Sequence, residues 1–395
     1  MFKQTLALLT TNLRSILARP ANSLITIVGI GGVVAVLISI FAVAQGFERT
    51  LATTGSADRA LVLRAGSTSE INGSIPAGQY GPISNLPHVA RSDAEPIASR
   101  ETYVTVNLKR RDGKGEGSAP MRGVNKQSYL VRDELSLIEG RDIEFGKYEM
   151  IAGISAAADY EQLDIGQTIR LRGIEWRVVG LFQAHGSAYQ SELWVDERLL
   201  AQSRGRGDTF SSMLVKLTDP SKMAAFQQSL LDDRRLTAHA IRESEYYAAQ
   251  AGGTAGLIKG IGALVTVIMA IGAFFAALNT MYAALASRSI EIATLRSLGF
   301  NRGPIAAATL LESALLGLLG AILGSLVVYV FLNGLTLSTV AATTSTFTQI
   351  AFSFQVTLDL MVVAVLVSVL LGMIGGLLPT LRAIRLPIVQ GLRGG

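Results

Sequence analysis

Four stretches of this 395-residue chain carry almost no ionisable side chain. They run from Leu24 to Ala44, from Gly260 to Ser287, from Pro304 to Leu332 with Glu312 as the one interruption, and from Leu360 to Leu381. Each supplies the roughly 20 residues that an α-helix needs to cross the hydrocarbon core of a bilayer. Segments in lipid must satisfy their own backbone, so only helices and closed barrels span it. Barrels use alternating segments of about ten residues, a pattern absent here. Composition agrees, with 49% hydrophobic and 16% charged residues where soluble domains carry about 25% charge. The sequence predicts an α-helical membrane protein with four transmembrane helices and a large α+β extracytoplasmic domain.

Basic residues orient the spans. Lys3, Arg14 and Arg19 precede the first apolar stretch, Arg288, Arg296 and Arg302 lie between the second and third, and Arg382, Arg385 and Arg393 follow the fourth. The connection from Asn333 to Ala351 has no charge. By the positive-inside rule both termini and the 287–303 loop are cytoplasmic. The expected plan is a cytoplasmic amphipathic helix over 1–21, a first span over 22–46, an external domain over 47–250 and a second span over 251–286. A cytoplasmic helix over 287–303, a third span over 304–333, an external loop over 334–353, a fourth span over 354–380 and a tail over 381–395 complete it. Residues 47–250 hold 25 Lys+Arg against 27 Asp+Glu. Ala42-Val43-Ala44 resembles a signal-peptidase site, but the apolar run before it is longer than a cleaved signal's, so an uncleaved first helix is expected.

The external domain reads as mixed α and β. Thr102 to Val106 alternates like a strand, and Thr168–Arg172 with Glu175–Leu181 reads as a hairpin across Gly173. Gln190–Val195 and Ser212–Leu217 are further strands. Helices are expected over Ser155–Leu163 and Ser221–Leu231, the latter opened by Asp219-Pro220. The absence of cysteine removes disulfides, thiolate metal sites and cysteine nucleophiles. His88, His185 and His239 have no ligand-like spacing, so no metal site is expected. No catalytic constellation appears, the near-neutral external domain argues against nucleic acid, and no phosphate-binding G-x-x-x-x-G-K-[ST] loop exists. The chain is not expected to be an enzyme or to bind a cofactor.

The stretch from Ser287 to Gly299 is the most informative. Arg288 and Glu291 share a helix face, and Gly299 fits a left-handed C-cap. A short, capped, charged helix between two spans suits either a plain solvated loop or a docking peg for a cytoplasmic protein. Residues 287–324, SRSIEIATLRSLGFNRGPIAAATLLESALLGLLGAILG, resemble the signature of FtsX-like permeases, the MacB-like or type VII group of ABC transporters. Gly123-Val124, Ile151-Ala152-Gly153, Ile165-Gly166, Val178-Val179-Gly180 and the strand through Trp194 are similar to that group's periplasmic core. The tail Leu386 to Arg393 is similar to its terminal P-x-x-x-L-R element, whereas Ser287 departs from the frequent acidic residue there.

The resemblance implies a permease subunit of an ABC complex in the inner (cytoplasmic) membrane. ATP and Mg would be bound by a separate ATPase docked on a coupling helix that holds Arg288, Glu291, Ile292, Leu295, Arg296 and Gly299. A second permease chain, identical or related, would complete the pair, and a periplasmic adaptor is a further possible partner. Nucleotide-driven motion would pass across the bilayer by mechanotransmission and serve export or extraction of a substrate. Alternatives are an FtsX-like regulator of an external partner and a membrane-anchored receptor. Three sets of small residues recur at four-residue spacing and are expected to permit close helix packing: Gly252, Gly256 and Gly260; Gly320 and Gly324; Gly372 and Gly376. Glu312, the one acid inside a span, is expected to make a structural hydrogen bond or ion pair near the cytoplasmic boundary.

Overall fold

The structure, a computed structural model, describes residues 20–385 except 114, 172, 206, 207, 287, 344 and 345, together with residue 387. The amphipathic helix and the tail motif expected from the sequence lie outside the described residues. The chain divides into two compact units, one made of residues up to Gln45, Leu257–Leu335 and Phe354 onward, the other of Gly46–Gly256 with Thr336–Ser353.

The first unit is built from four helices long and apolar enough to cross a membrane. They are α1 (Pro20–Ala52), α6 (Glu243–Ala286), α8 (Arg302–Leu332) and α9 (Leu358–Arg385). The short α7 (Ser289–Ser297) lies between α6 and α8. Ile30, Val34, Leu37 and Ile38 of α1 form one apolar core with Ala321 and Val328 of α8 and with Leu360 and Ala364 of α9. Helices approach this closely only where side chains are small. A Cβ added at Gly317 or Gly372 of the α8–α9 pair would collide with the carbonyl of Ser368 or Ser313. The Ser368 hydroxyl donates to the Gly317 carbonyl across the same contact.

The second unit is built on a ten-stranded sheet with two cores. In chain order its strands are β1 (Arg59–Arg64), β2 (Ala98–Lys109), β3 (Glu116–Val124), β4 (Ser136–Gly140), β5 (Glu149–Gly153), β6 (Thr168–Leu171), β7 (Ile174–Gln183), β8 (Leu193–Asp196), β9 (Ser212–Lys216) and β10 (Ala238–Arg242). The order across the sheet is β10-β1-β9-β2-β3-β8-β5-β7-β4, with β6 paired to β7. Strand pairs β7–β5 and β8–β3 are parallel and the rest antiparallel. Packed on it are α2 (Lys126–Val131), α3 (Ile154–Asp159), α4 (Glu197–Ser203) and α5 (Met223–Asp232).

The twelve-residue β2 makes the division. Its residues 98–101 pair with β9 and residues 102–109 pair with β3. One lobe has Val62, Phe210, Met213 and Phe226 at its core, the other Met121, Met150, Trp176 and Leu193. The expected hairpin is β6–β7, closed at Gly173 in the left-handed region at φ +85°. The expected helix over Ser155–Leu163 is shorter, because Tyr160 leaves α3 to bridge Arg110. The uncharged 334–353 connection is not a bare loop. It carries β11 (Thr336–Thr343) paired antiparallel with β12 (Thr346–Ser353), and the Phe352 ring meets Phe47 edge-on with centroids 6.1 Å apart.

Candidate functional site

The first candidate region is α7 and the turns around it. The helix ends in a Schellman arrangement, with Gly299 N–H donating to the Arg296 carbonyl and Phe300 N–H to the Leu295 carbonyl at 3.1 Å. Gly299 stands at φ +91°, a conformation in which a Cβ is penalised. Phe300 and Leu295 then pack together with Ile292 against Ile305 and Ala308 at the start of α8, the apolar contact that accompanies such a cap. The turn therefore fixes α7 against the N-terminal end of α8.

Arg288 and Glu312 meet. The Arg288 Nη1 lies 3.1 Å from Glu312 Oε2, with side chains 12% and 8% exposed. The ion pair expected for Glu312 thus has as partner a residue expected to serve docking. Burial also separates the other predicted docking residues. Ile292, Leu295 and Arg296 are partly covered, while Glu291 is exposed. The open face of α7 is completed by Ile290 (53% exposed), Thr294 and Leu298 (72% exposed), at the i, i+1, i+4, i+8 spacing of one helical surface. Sequence reasoning missed Ile290 and Leu298. Their signal is two large apolar residues off the partly covered Ile292–Leu295 stripe.

The glycines divide in the same manner. Gly320 and Gly324 face Ile27, Ile30, Gly31 and Val34 of α1, and Gly372 and Gly376 face Ser313 of α8. Gly252, Gly256 and Gly260 have, among the described residues and beyond their own stretch of helix, no atom within 4 Å of where a side chain would begin.

The second region is a buried charge network at the seam between the two lobes of the external unit, which the sequence did not reveal. The Arg122 guanidinium, 1% exposed, binds Glu70 at 2.8 Å, Glu101 at 2.6 Å and Glu192 at 2.7 Å. Arg132 binds Glu101 from the other side. Arg59 reaches Glu134, Asp133 and Glu243, and Tyr189 donates its hydroxyl to Glu243. The Trp194 indole N–H donates to Glu192 at 2.8 Å and the Ser212 hydroxyl to Glu70 at 2.7 Å. Two chain segments end in this cluster. Glu243 is the first residue of α6, and it accepts from the Ser56 N–H just beyond α1.

Burial alone would push the Glu101 carboxyl up. The charges of Arg132 and Arg122 and their hydrogen bonds reverse that and hold it at about 2. Burial works against the charged Arg122, and Glu192, Glu70 and Glu101 outweigh it, so its guanidinium stays protonated. A buried ion pair is costly to desolvate and costly to break. This network therefore acts as a fixed joint, one that resists separation of the strands and helix ends it ties together.

Residues 23–232 match the family described as the MacB-like periplasmic core domain, and residues 263–388 match the FtsX-like permease C-terminal domain. The chain belongs to the FtsX/MacB-like permeases of ABC transporters. Among curated relatives it is similar to the uncharacterized ABC transporter permease YknZ of Bacillus subtilis (strain 168). That protein is 26% identical over 399 residues, covering 96% of this chain and 97% of the relative. The uncharacterized permease MJ1507 of Methanocaldococcus jannaschii is 23% identical over 286 residues, 69% of this chain and 68% of that one. Among solved structures, the extracellular domain of YknZ aligns with TM-score 0.36 at 14% identity, covering 46% of this chain and 99% of that domain. The periplasmic region of MacB from Actinobacillus actinomycetemcomitans aligns with TM-score 0.37 at 13% identity, covering 49% and 92%. Membership makes the chain a membrane permease component with a MacB-like α+β domain, and an ABC permease implies an ATPase partner in its complex.

Proposed function

We propose that this chain couples ATP hydrolysis in a separate ATPase subunit to movement of its external domain. The observation that carries this reading is α7. A short helix, capped by Gly299 and pinned through Phe300 and Leu295, presents Ile290, Glu291, Thr294 and Leu298 between two long apolar helices. Apolar residues flanking one charge suit a protein groove better than lipid or bulk water. In this reading α7 sits in the ATPase, ATP and Mg belong to that partner, and Arg288 and Leu295 support the helix from behind.

The four apolar helices span the inner membrane with both termini in the cytoplasm, in keeping with the basic short segments. The α6 helix has 44 residues, about 66 Å at 1.5 Å per residue, against a hydrocarbon core of about 30 Å. A helix of that length can carry displacement well beyond the bilayer. A second permease chain packs on α6, whose Leu257, Ile261, Leu264, Ile268, Ile271 and Phe275 are each more than half exposed. Their alternating four- and three-residue spacing is the seam of a two-helix coil. The external domain then moves with α1 and α6, and substrate is exported or extracted on that side by mechanotransmission.

The test is affinity purification of the tagged chain from native membranes in mild detergent. The expected result is a stoichiometric ATPase with Walker motifs, lost when Ile290 and Leu298 are both changed to Asp while the tryptophan emission of the external unit is unchanged. Recovery of the chain without any ATPase in several mild detergents would contradict the proposal.

A further inference from the structure

The seam between the lobes has two faces. Along β2, Glu101 and Tyr103 belong to the charge network on one face, while Arg100 and Thr102 contact Glu197 on the other, because successive strand residues point to opposite sides. On this second face lies a half-open cleft of about 740 Å³. Pockets of that volume accept drug-sized molecules. One wall comes from the first lobe, with Tyr80 and Arg100, and the other from the second, with Phe145, Lys126, Arg198 and Leu199.

The charges lining the cleft are balanced in number but not in availability. Its three carboxylates are engaged within the protein. Asp196 caps α4 and accepts the Gly146 N–H at 2.6 Å. Glu197 pairs with Arg100 at 2.9 Å. Glu95 accepts from the Gln127 amide at 3.0 Å. Lys126 and Arg198 are exposed and form no ion pair among the described residues. Two uncommitted cations and the apolar surfaces of Tyr80, Phe145 and Leu199 therefore face one space.

We propose that this cleft binds an amphiphilic organic anion, its carboxylate held by Lys126 and Arg198 and its apolar body set between Tyr80 and Phe145. Such a ligand bridges the two lobes directly behind the Arg122 network, so its arrival is felt where α1 and α6 enter the domain. The site does not depend on the ATPase reading, and binding is measured without one.

The probe is dansyl-L-phenylalanine, which carries a carboxylate and aromatic bulk, compared with its uncharged amide. Both are titrated by fluorescence anisotropy into the full chain in lipid nanodiscs, with empty nanodiscs subtracted. Saturable uptake of the carboxylate is expected, weakened about tenfold or more for the amide and for the Lys126→Glu, Arg198→Glu double variant. Both positions are exposed, so the variant keeps the wild-type unfolding temperature, and Phe145→Ala weakens both probes alike. Equal affinity for the two probes, an unaffected double variant, or no uptake by the wild type up to about 1 mM would each overturn the proposal.

Discussion

Replacing Arg122 by Ala tests whether the charge network holds the external domain together. The guanidinium is 1% exposed and is the shared partner of Glu70, Glu101 and Glu192, themselves 4%, 0% and 5% exposed. Its removal leaves three buried carboxylates, of which Glu101 keeps Arg132, Glu70 keeps the Ser212 hydroxyl and Glu192 keeps the Trp194 indole. Breaking one buried ion pair from one side costs about 3–5 kcal/mol. For a unit of roughly 200 residues that lowers the unfolding temperature by roughly 6–20 °C. The chain has two tryptophans, and Trp176 and Trp194 are both buried in this unit, so their emission reports its unfolding within the full chain. The pH dependence supplies a second readout. Carboxylates stripped of their cation have folded-state pKa values above their unfolded ones, so the variant regains stability on acidification. Its deficit at pH 7.5 should narrow towards pH 5. A deficit below about 1 kcal/mol, or one unchanged between those pH values, would refute the claim that Arg122 neutralises these carboxylates.

Other perturbations separate the remaining parts. Glu101, held at about 2 against an ordinary value of 4.5, contributes stability that is fully present above pH 4.5 and is lost as pH falls towards 2. Glu101→Gln should remove that acid-dependent component in tryptophan-monitored unfolding. Burial raises the Glu197 carboxyl despite Arg100, so its ionisation opposes folding as pH rises above the ordinary value. Glu197→Gln should accordingly cost less at pH 7.5 than Glu101→Gln. In the membrane unit, Gly324→Leu drives a side chain into Gly31 and Val34 and should cause early thermal aggregation in detergent. Gly260→Leu meets open space among the described residues and should leave the single chain's stability unchanged. Arg288→Ala should destabilise this unit more than a paired Arg288→Met, Glu312→Leu change, because the single variant leaves a carboxylate without its cation.

What the sequence reveals here is what is local. An apolar run long enough to span a bilayer needs no partner to be recognised, and each of the four long helices overlaps one expected stretch. The Gly299 cap is equally local, since its hydrogen bonds span only residues 294–300, and the β6–β7 hairpin closes across a single glycine. The charge network is the opposite case. Arg122 is 21 residues from Glu101 and 70 from Glu192, and they meet only because β3 is flanked by β2 and β8. Neither parallel pairing nor the order of the ten strands is written in alternation patterns. The same holds for Arg288. Its charge in a segment expected to be cytoplasmic suggested a surface role, and only the fold of α7 against α8 gives it Glu312 as a partner. Small-residue spacing was an incomplete guide for a related reason, because it permits close approach without naming the neighbour.

The central claim is that nucleotide bound in the partner ATPase moves the external domain. The chain has no cysteine, so single spin labels can be placed without background. Leu231, 66% exposed at the end of α5, is a suitable site. With Leu231→Cys labelled in the proposed complex of two copies of this chain with the ATPase, pulsed electron–electron double resonance measures the distance between the two labels. The account predicts a shift of several ångströms between the nucleotide-free and the vanadate-trapped states, abolished by Ile290→Asp with Leu298→Asp. An unchanged distance distribution in a complex that is hydrolysing ATP would contradict it.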